Sequence, residues 1–285
     1  MKTYKEYYKL SQKNYSNEIG AVENKLNLYD LTMKVIHPNQ KNEIIHLPDN
    51  YSNLIASISK KINQKMLDKN EHYLDSSQGS KPKVAIQIKN IWDIPELIEL
   101  ADGILPSLER NVFGSYIHLS AVHAYRNIQT TSSRYSSWLW HYDNNPKEAV
   151  KILIYLTDVG EENGPFELIE KENQYVKIET SRTGYNHWGP PLIPHSRIPK
   201  EMIDTLKQKG YKEKKILGPA GTMLFFDNNI IHRANIPTVG HRDVVILNIR
   251  PCSKKIRPFL SKDTTGSWMH KSPILDPSDR KPKLK

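Results

Sequence analysis

The chain has 285 residues, 38% hydrophobic and 25% charged, with a formal net charge of +10; this is a polar globular protein of one large or two small domains, and the composition excludes a disordered chain. The single cysteine, Cys252, excludes an internal disulfide, and no apolar run approaches bilayer length or follows Met1–Lys5 as a signal peptide would, so cytoplasm is the expected compartment and no membrane partner is expected. The lysines are scattered, with dense groups only at Lys60–Lys61, Lys212–Lys215, Lys254–Lys255 and Arg280–Lys285, and no nucleic-acid reader motif accompanies them, so charge by itself selects no partner and argues against nucleic acid.

In chain order, residues 1 to about 50 read as a polar arm, irregular or short-helical. Leu54, Ile55, Ile58, Ile62 and Met66 recur at helical spacing over Tyr51–Asn70, after capping material at Asp49–Ser52. Val84–Ile88 alternates as a strand. Pro95 suits the first turn of a second amphipathic helix, with Leu97, Ile98, Leu100, Ala101, Ile104 and Leu105 on its apolar face, ending at Pro106. Tyr116–Tyr125 reads as a strand with Ile117, Leu119, Ala121, His123 and Tyr125 on one face and His118 on the other. Ala149–Leu156 is a further apolar strand, and the turn-rich Thr157–Pro165 leads into another at Phe166–Ile169. Residues 171–199 hold few aliphatics but several aromatics and prolines, the composition of an ordered lid. A short helix at Pro199–Lys209 (Met202, Ile203, Leu206 inward) precedes late strands at Gly218–Phe226 and Asp243–Ile249, joined by a loop that holds His232. No repeat appears. Helices first and then many strands favour one mainly-β domain over 1–285: an arm and covering helices in 1–110, an antiparallel barrel or jelly-roll core in 115–252, and a basic tail in 253–285.

The chemistry concentrates at Ser136–Asp143. In an extended strand alternate side chains share a face, so His141 and Asp143 can direct an imidazole and a carboxylate at one point while Tyr142 points away. His232, 91 positions later, is the candidate third ligand. Two imidazoles and one carboxylate on one face of an ion leave positions open for a bidentate cosubstrate and dioxygen, which is the requirement of non-heme iron(II). Any two of 11 histidines and an aspartate can be assembled by chance, so Arg242 carries the added weight: at the start of the last strand its planar fork suits the far carboxylate of a dicarboxylic cosubstrate.

These residues, with Ile154–Val159 leading to Asn163–Gly164–Pro165 and Gly221–Thr222–Met223 leading to His232, resemble the phytanoyl-CoA dioxygenase-like branch of iron(II)/2-oxoglutarate oxygenases over roughly Tyr116–Pro251. The resemblance implies a double-stranded β-helix with covering helices, iron(II) held by His141, Asp143 and His232, and 2-oxoglutarate salt-bridged by Arg242. The leading reading is an oxygenase that uses dioxygen for hydroxylation or another oxidation of a small polar or anionic metabolite, and the family name does not give the substrate. Asp143 stands where halogenating relatives carry a small residue, which favours hydroxylation. One departure concerns substrate: Phe166–Lys171 follows the Asn-Gly-Pro turn where many members have Pro-Gly-Ser-His.

Tyr155 or Thr157 is a candidate hydrogen-bond partner of the cosubstrate, as is Asn235 beyond His232, with core, surface or turn roles equally open. Substrate contacts are sought at Arg126, Arg134, Trp140, Arg182, Tyr185, His187 and Trp188, with core packing the alternative for Trp138 or Trp140. The sequence leaves open a non-catalytic jelly-roll binding protein and a zinc hydrolase built on the same two histidines and aspartate.

Overall fold

Strands β4 (Ile117–Asn127), β5 (Val150–Tyr155), β9 (Thr222–Asp227) and β11 (Arg242–Pro251) alternate between two apolar clusters, and that alternation places the sheet between two layers. Outward residues Leu119, Val122, Ala124, Ile152, Ile154, Phe225, Val245 and Leu247 join the cluster formed by helices α2 (Ser52–Leu67) and α3 (Pro95–Leu108). Inward residues Leu153, Tyr155, Leu224, Phe226 and Val244 pack on Phe166 and Leu168 of a second sheet. The computed structural model describes residues 8–18, 43–75, 85–130, 136–146, 148–180, 192–252 and 254–261.

With a helix over 8–18 as α1 and strands β1 (Glu43–His46), β2 (His72–Asp75) and β3 (Ala85–Ile88), the larger sheet has seven strands in the order β1-β9-β5-β11-β4-β3-β2. The smaller sheet is built from β6 (Phe166–Lys171), β7 (Gln174–Tyr175), β8 (Lys212–Ile216) and β10 (His232–Ala234), with β6 paired to the other three. Helix α4 (Lys200–Gln208) lies before β8. All pairings are antiparallel. Two antiparallel sheets around one interior, with α2 and α3 on the outer face of the larger sheet and α4 packed against β6 of the smaller, form a jelly roll, as the order of elements in the sequence predicts.

Several expectations need correction. No side chain caps α2, because a 3-10 turn at Asp49–Tyr51 feeds directly into it. Helix α3 does not stop at Pro106 but continues to Leu108 and into a π turn at Glu109–Phe113. Burial of Leu105, Leu108 and Phe113 in the helical cluster offsets the roughly 3 kcal/mol a helical proline costs. In β4 the register against β11 shifts by one residue at Ser120, a bulge that exchanges the two faces. Leu119 therefore shares the outer face with Val122 and Ala124, and His118 and His123 both point inward opposite Arg250 and Ile246. Met202 is exposed while Ile203 is buried, so the apolar face of α4 is narrower than its sequence suggests. The part of the expected basic tail beyond residue 261 falls outside the described residues.

Candidate metal and cosubstrate site

Ser136–Asp143 is not the strand its alternation suggests: Ser136–Trp138 form a 3-10 turn and His141 makes isolated bridges to Arg197 and His232. The convergence survives because backbone pairing replaces the strand. His141 and His232 exchange both backbone hydrogen bonds, at 3.0 and 2.9 Å, and the Asp143 N–H donates to the Asn228 carbonyl at 3.0 Å. His232 itself opens strand β10, rather than lying in a loop, with Leu168 opposite it.

The ligand atoms of His141, Asp143 and His232 all lie within 4.8 Å of one another. Each imidazole places Nδ1 2.8 Å from a carbonyl two residues back, Leu139 for His141 and Ile230 for His232. Those carbonyls fix Nδ1 as the protonated nitrogen and leave Nε2 as the donor toward the common centre. Burial, and for His141 the neighbouring His232, hold both imidazoles below their ordinary pKa, so both are neutral at neutral pH, the form that can ligate a metal. Burial works to raise the Asp143 pKa, but Lys151 and the two histidines outweigh it and hold the carboxyl well below the usual range. Lys151, inward on β5, donates to Asp143 Oδ2 at 2.5 Å. Phe166 stacks on His232 at 5.3 Å and Phe226 lies edge-on at 5.6 Å, walls that fix the ring and keep water from it.

Arg242 is fully buried, and none of its three guanidinium nitrogens has a hydrogen-bond partner among the described residues. Its cross-strand neighbour Asn127 is buried too, and the Asn127 amide nitrogen is likewise without an acceptor. The Tyr155 ring lies 5.9 Å from the guanidinium carbon. Four buried donor nitrogens and no acceptor form a site for an anion, because an unmatched buried guanidinium is otherwise costly. The donor set therefore fits a divalent metal at the triad and a carboxylate at Arg242.

Other expected site residues are committed elsewhere. Tyr155 donates to the Ile216 carbonyl at 2.8 Å and accepts from the Phe166 N–H, and the Arg242 charge acts on its hydroxyl. Thr157 accepts from the Asp243 N–H at 3.2 Å and lines an outer cleft beside α2. Arg126 lies on that same outer side, bidentate to Asp243 at 2.7 Å and bonded to Asn63; strand parity sends Asp243 and Arg126 away from the barrel while Arg242 and Asn127 enter it. Asn235 closes the turn on the Pro165 carbonyl at 3.1 Å. Trp140 packs with Tyr142 and Ile198 and carries Arg233 over its ring at 4.2 Å. Trp138 is buried against Ala234. Arg134, Arg182, Tyr185, His187 and Trp188 fall outside the described residues, as does the centre of the expected lid. Sequence reasoning missed Lys151, Asn127 and Arg197; the parity of Lys151 with Leu153 and Tyr155 on one strand was the available signal for the first.

No family model matches the sequence. The L-proline trans-4-hydroxylase of Streptomyces griseoviridis is 29% identical over 153 residues, 46% of this chain and 56% of that protein; the match thus spans little more than half of the curated relative. Among solved structures, EctD from S. alaskensis with 2-oxoglutarate and 5-hydroxyectoine superposes with a TM-score of 0.55 at 16% identity, covering 87% of this chain and 89% of that one. The chain has the jelly-roll fold of that structure. The non-heme alpha ketoglutarate dependent carbocyclase SnoK shares that jelly roll with a TM-score of 0.52 at 14% identity, covering 74% of this chain and 81% of that one. Among the described residues no helix is long and apolar enough to cross a membrane.

Proposed function

We propose that the protein is a non-heme iron(II)- and 2-oxoglutarate-dependent dioxygenase that hydroxylates a small polar or anionic metabolite, with succinate and CO2 as coproducts, and that it resembles the phytanoyl-CoA dioxygenase-like branch. The observation that carries this reading is the pairing of a buried His-Asp-His cluster, held by the smaller sheet, with the acceptor-free donors of Arg242 and Asn127, which enter the same interior from the larger sheet. A zinc hydrolase needs only the first of these. A dicarboxylate bound to the metal through one end needs both. The sequence match to an L-proline hydroxylase supports the same reaction class and a substrate of amino-acid size.

When bound, iron(II) with 2-oxoglutarate supplies the oxidising chemistry, and the chain supplies geometry and dryness. His141 and His232 hold the metal through neutral Nε2 atoms whose orientation the Leu139 and Ile230 carbonyls set. Asp143 stays ionised at neutral pH. Arg242 and Asn127 take the far carboxylate of the cosubstrate. Phe166 and Phe226 exclude water from the His232 side.

The test is to incubate purified protein with iron(II), ascorbate and 2-oxoglutarate in air and to measure succinate with and without a library of polar metabolites that includes L-proline. Metabolite-stimulated succinate is expected, and His141→Ala should lose it. Turnover that requires zinc and no oxygen would contradict the reading.

A further inference from the structure

Lys151 and Arg197 approach the triad from separate elements. Lys151 projects inward from β5, beside Asn248 on β11 and Phe226 on β9, and its ammonium reaches Asp143. Arg197 stands directly opposite His141 in an antiparallel bridge, held there by the Tyr142 N–H to the Ser196 carbonyl at 3.2 Å and the Ile198 N–H to the Trp140 carbonyl at 2.8 Å. Directly paired residues share a face, so the guanidinium is placed on the His141 side of the segment, and the Asp143 charge acts on it. Both side chains are half-buried rather than sealed. On β11 the inward residues Ile246, Asn248 and Arg250 are also partly exposed while the outward Val245, Leu247 and Ile249 are buried; the barrel is thus open to solvent on the side where Lys151 stands.

A charge count then decides what such an opening takes. A divalent metal, the Asp143 carboxylate, a dicarboxylate and the Arg242 guanidinium together cancel. Once the metal shares Asp143, Lys151 loses most of the charge that now matches it, and Arg197 loses the same neighbour. Two half-desolvated cations that act on the one Asp143 carboxylate, the second with one guanidinium nitrogen also donating to the His195 carbonyl at 3.3 Å, attract an anion strongly at the short range and reduced dielectric of such a site. We infer that Lys151 and Arg197 form a seat for an anionic group of the substrate, a carboxylate or a tetrahedral oxyanion, beside the metal and distinct from the Arg242 pocket. The inference rests on the oxygenase reading for its metal and deepens it by naming what the substrate must carry.

The seat is tested on the full-length protein loaded with cobalt(II), whose visible absorption reports on its surroundings, by titrating acetate and, separately, inorganic sulfate. Saturable perturbation is expected with at least one anion, and the tighter of the two distinguishes carboxylate from tetrahedral oxyanion. In Lys151→Met and in Arg197→Met the affinity should fall about tenfold or more, the scale of one lost charge-assisted contact, while Lys151→Arg should stay within about threefold. No perturbation by either anion would overturn the seat. Perturbation unchanged in both methionine variants would also overturn it, since the anion would then ride on the metal alone. A parallel titration with 2-oxoglutarate separates the two claims: failure to bind it counts against the oxygenase reading and leaves the anion result standing by itself.

Discussion

Burying the Arg242 guanidinium without an acceptor costs the cosubstrate-free protein stability that a bound carboxylate would restore. Arg242→Met should therefore stabilise the cosubstrate-free protein by about 1–4 kcal/mol, as replacement of buried charge by apolar volume does elsewhere. The same variant should lose the rise in melting temperature that 2-oxoglutarate gives the native chain; a variant that melts lower and still responds to the ligand would contradict the pocket. His118 and His123 make a second residue-scale prediction. Burial, joined by Arg250 for the first and Lys151 for the second, lowers their pKa from 6.5 to about 3. Between those values the unfolded chain binds protons that the folded one does not, so stability is full above about pH 6.5 and falls with acidification toward pH 3. The slope contributed by each is at most about 1.4 kcal/mol per pH unit. Denaturant melts of the metal-free protein at pH 7, 6 and 5 should show this loss, and His123→Gln should flatten it; an equal slope in the variant would remove His123 from the account.

At the scale of elements, two local features hold the site together across the sheets. The turn before β6 needs Gly164, whose φ is 74° and where an added Cβ would meet the Asn235 carbonyl oxygen at 2.6 Å and the Pro237 ring at 2.8 Å. That turn and Asn235 tie β6 to the end of β10, the strand that His232 opens. Gly164→Ala should cost about 1–3 kcal/mol in chemical denaturation and weaken metal affinity along with it; an unperturbed midpoint would show that the turn adapts. The second feature is the α2 stripe, legible in full from its spacing, whose Ile55, Ile58, Ile62 and Met66 are all buried. Ile58→Ala, at a site with no exposure, should cost about 2–5 kcal/mol through the cavity it leaves. Because α2 packs on the outer face, metal affinity under native conditions should stay unchanged, and a parallel loss would mean the outer layer bears on the site.

For the molecule as a whole, what the sequence made legible is what depends on local period and on residue type. The apolar strands β5, β9 and β11, the covering helices and the convergence of His141, Asp143 and His232 were readable, and Arg242 was singled out because a dicarboxylate would need a planar fork of donors. What stayed hidden depends on pairing between distant segments. Asn127 becomes a partner of Arg242 only through the β4–β11 register, and the Ser120 bulge that reassigns His118 and His123 leaves no mark in the pattern of β4. Arg197 reaches the triad through a bridge to His141 from the far end of the expected lid. Strand β8, Lys212–Ile216, reads as a charge run because its lysines are matched across space, Lys214 by Glu170 and Lys215 by Glu161. Arg126 and Thr157 were chosen for proximity in sequence to the site, and parity turned them to the other face. The central claim is that the triad and the Arg242 pocket form one iron and 2-oxoglutarate site. Anaerobic titration of the iron(II)-loaded protein with 2-oxoglutarate, in the native chain and in Arg242→Met, tests it most directly. The account predicts saturable binding in the native chain, weakened about 30-fold or more in the variant, the cost of breaking a buried charge pair; equal affinity in the two, or no binding in either, would contradict it.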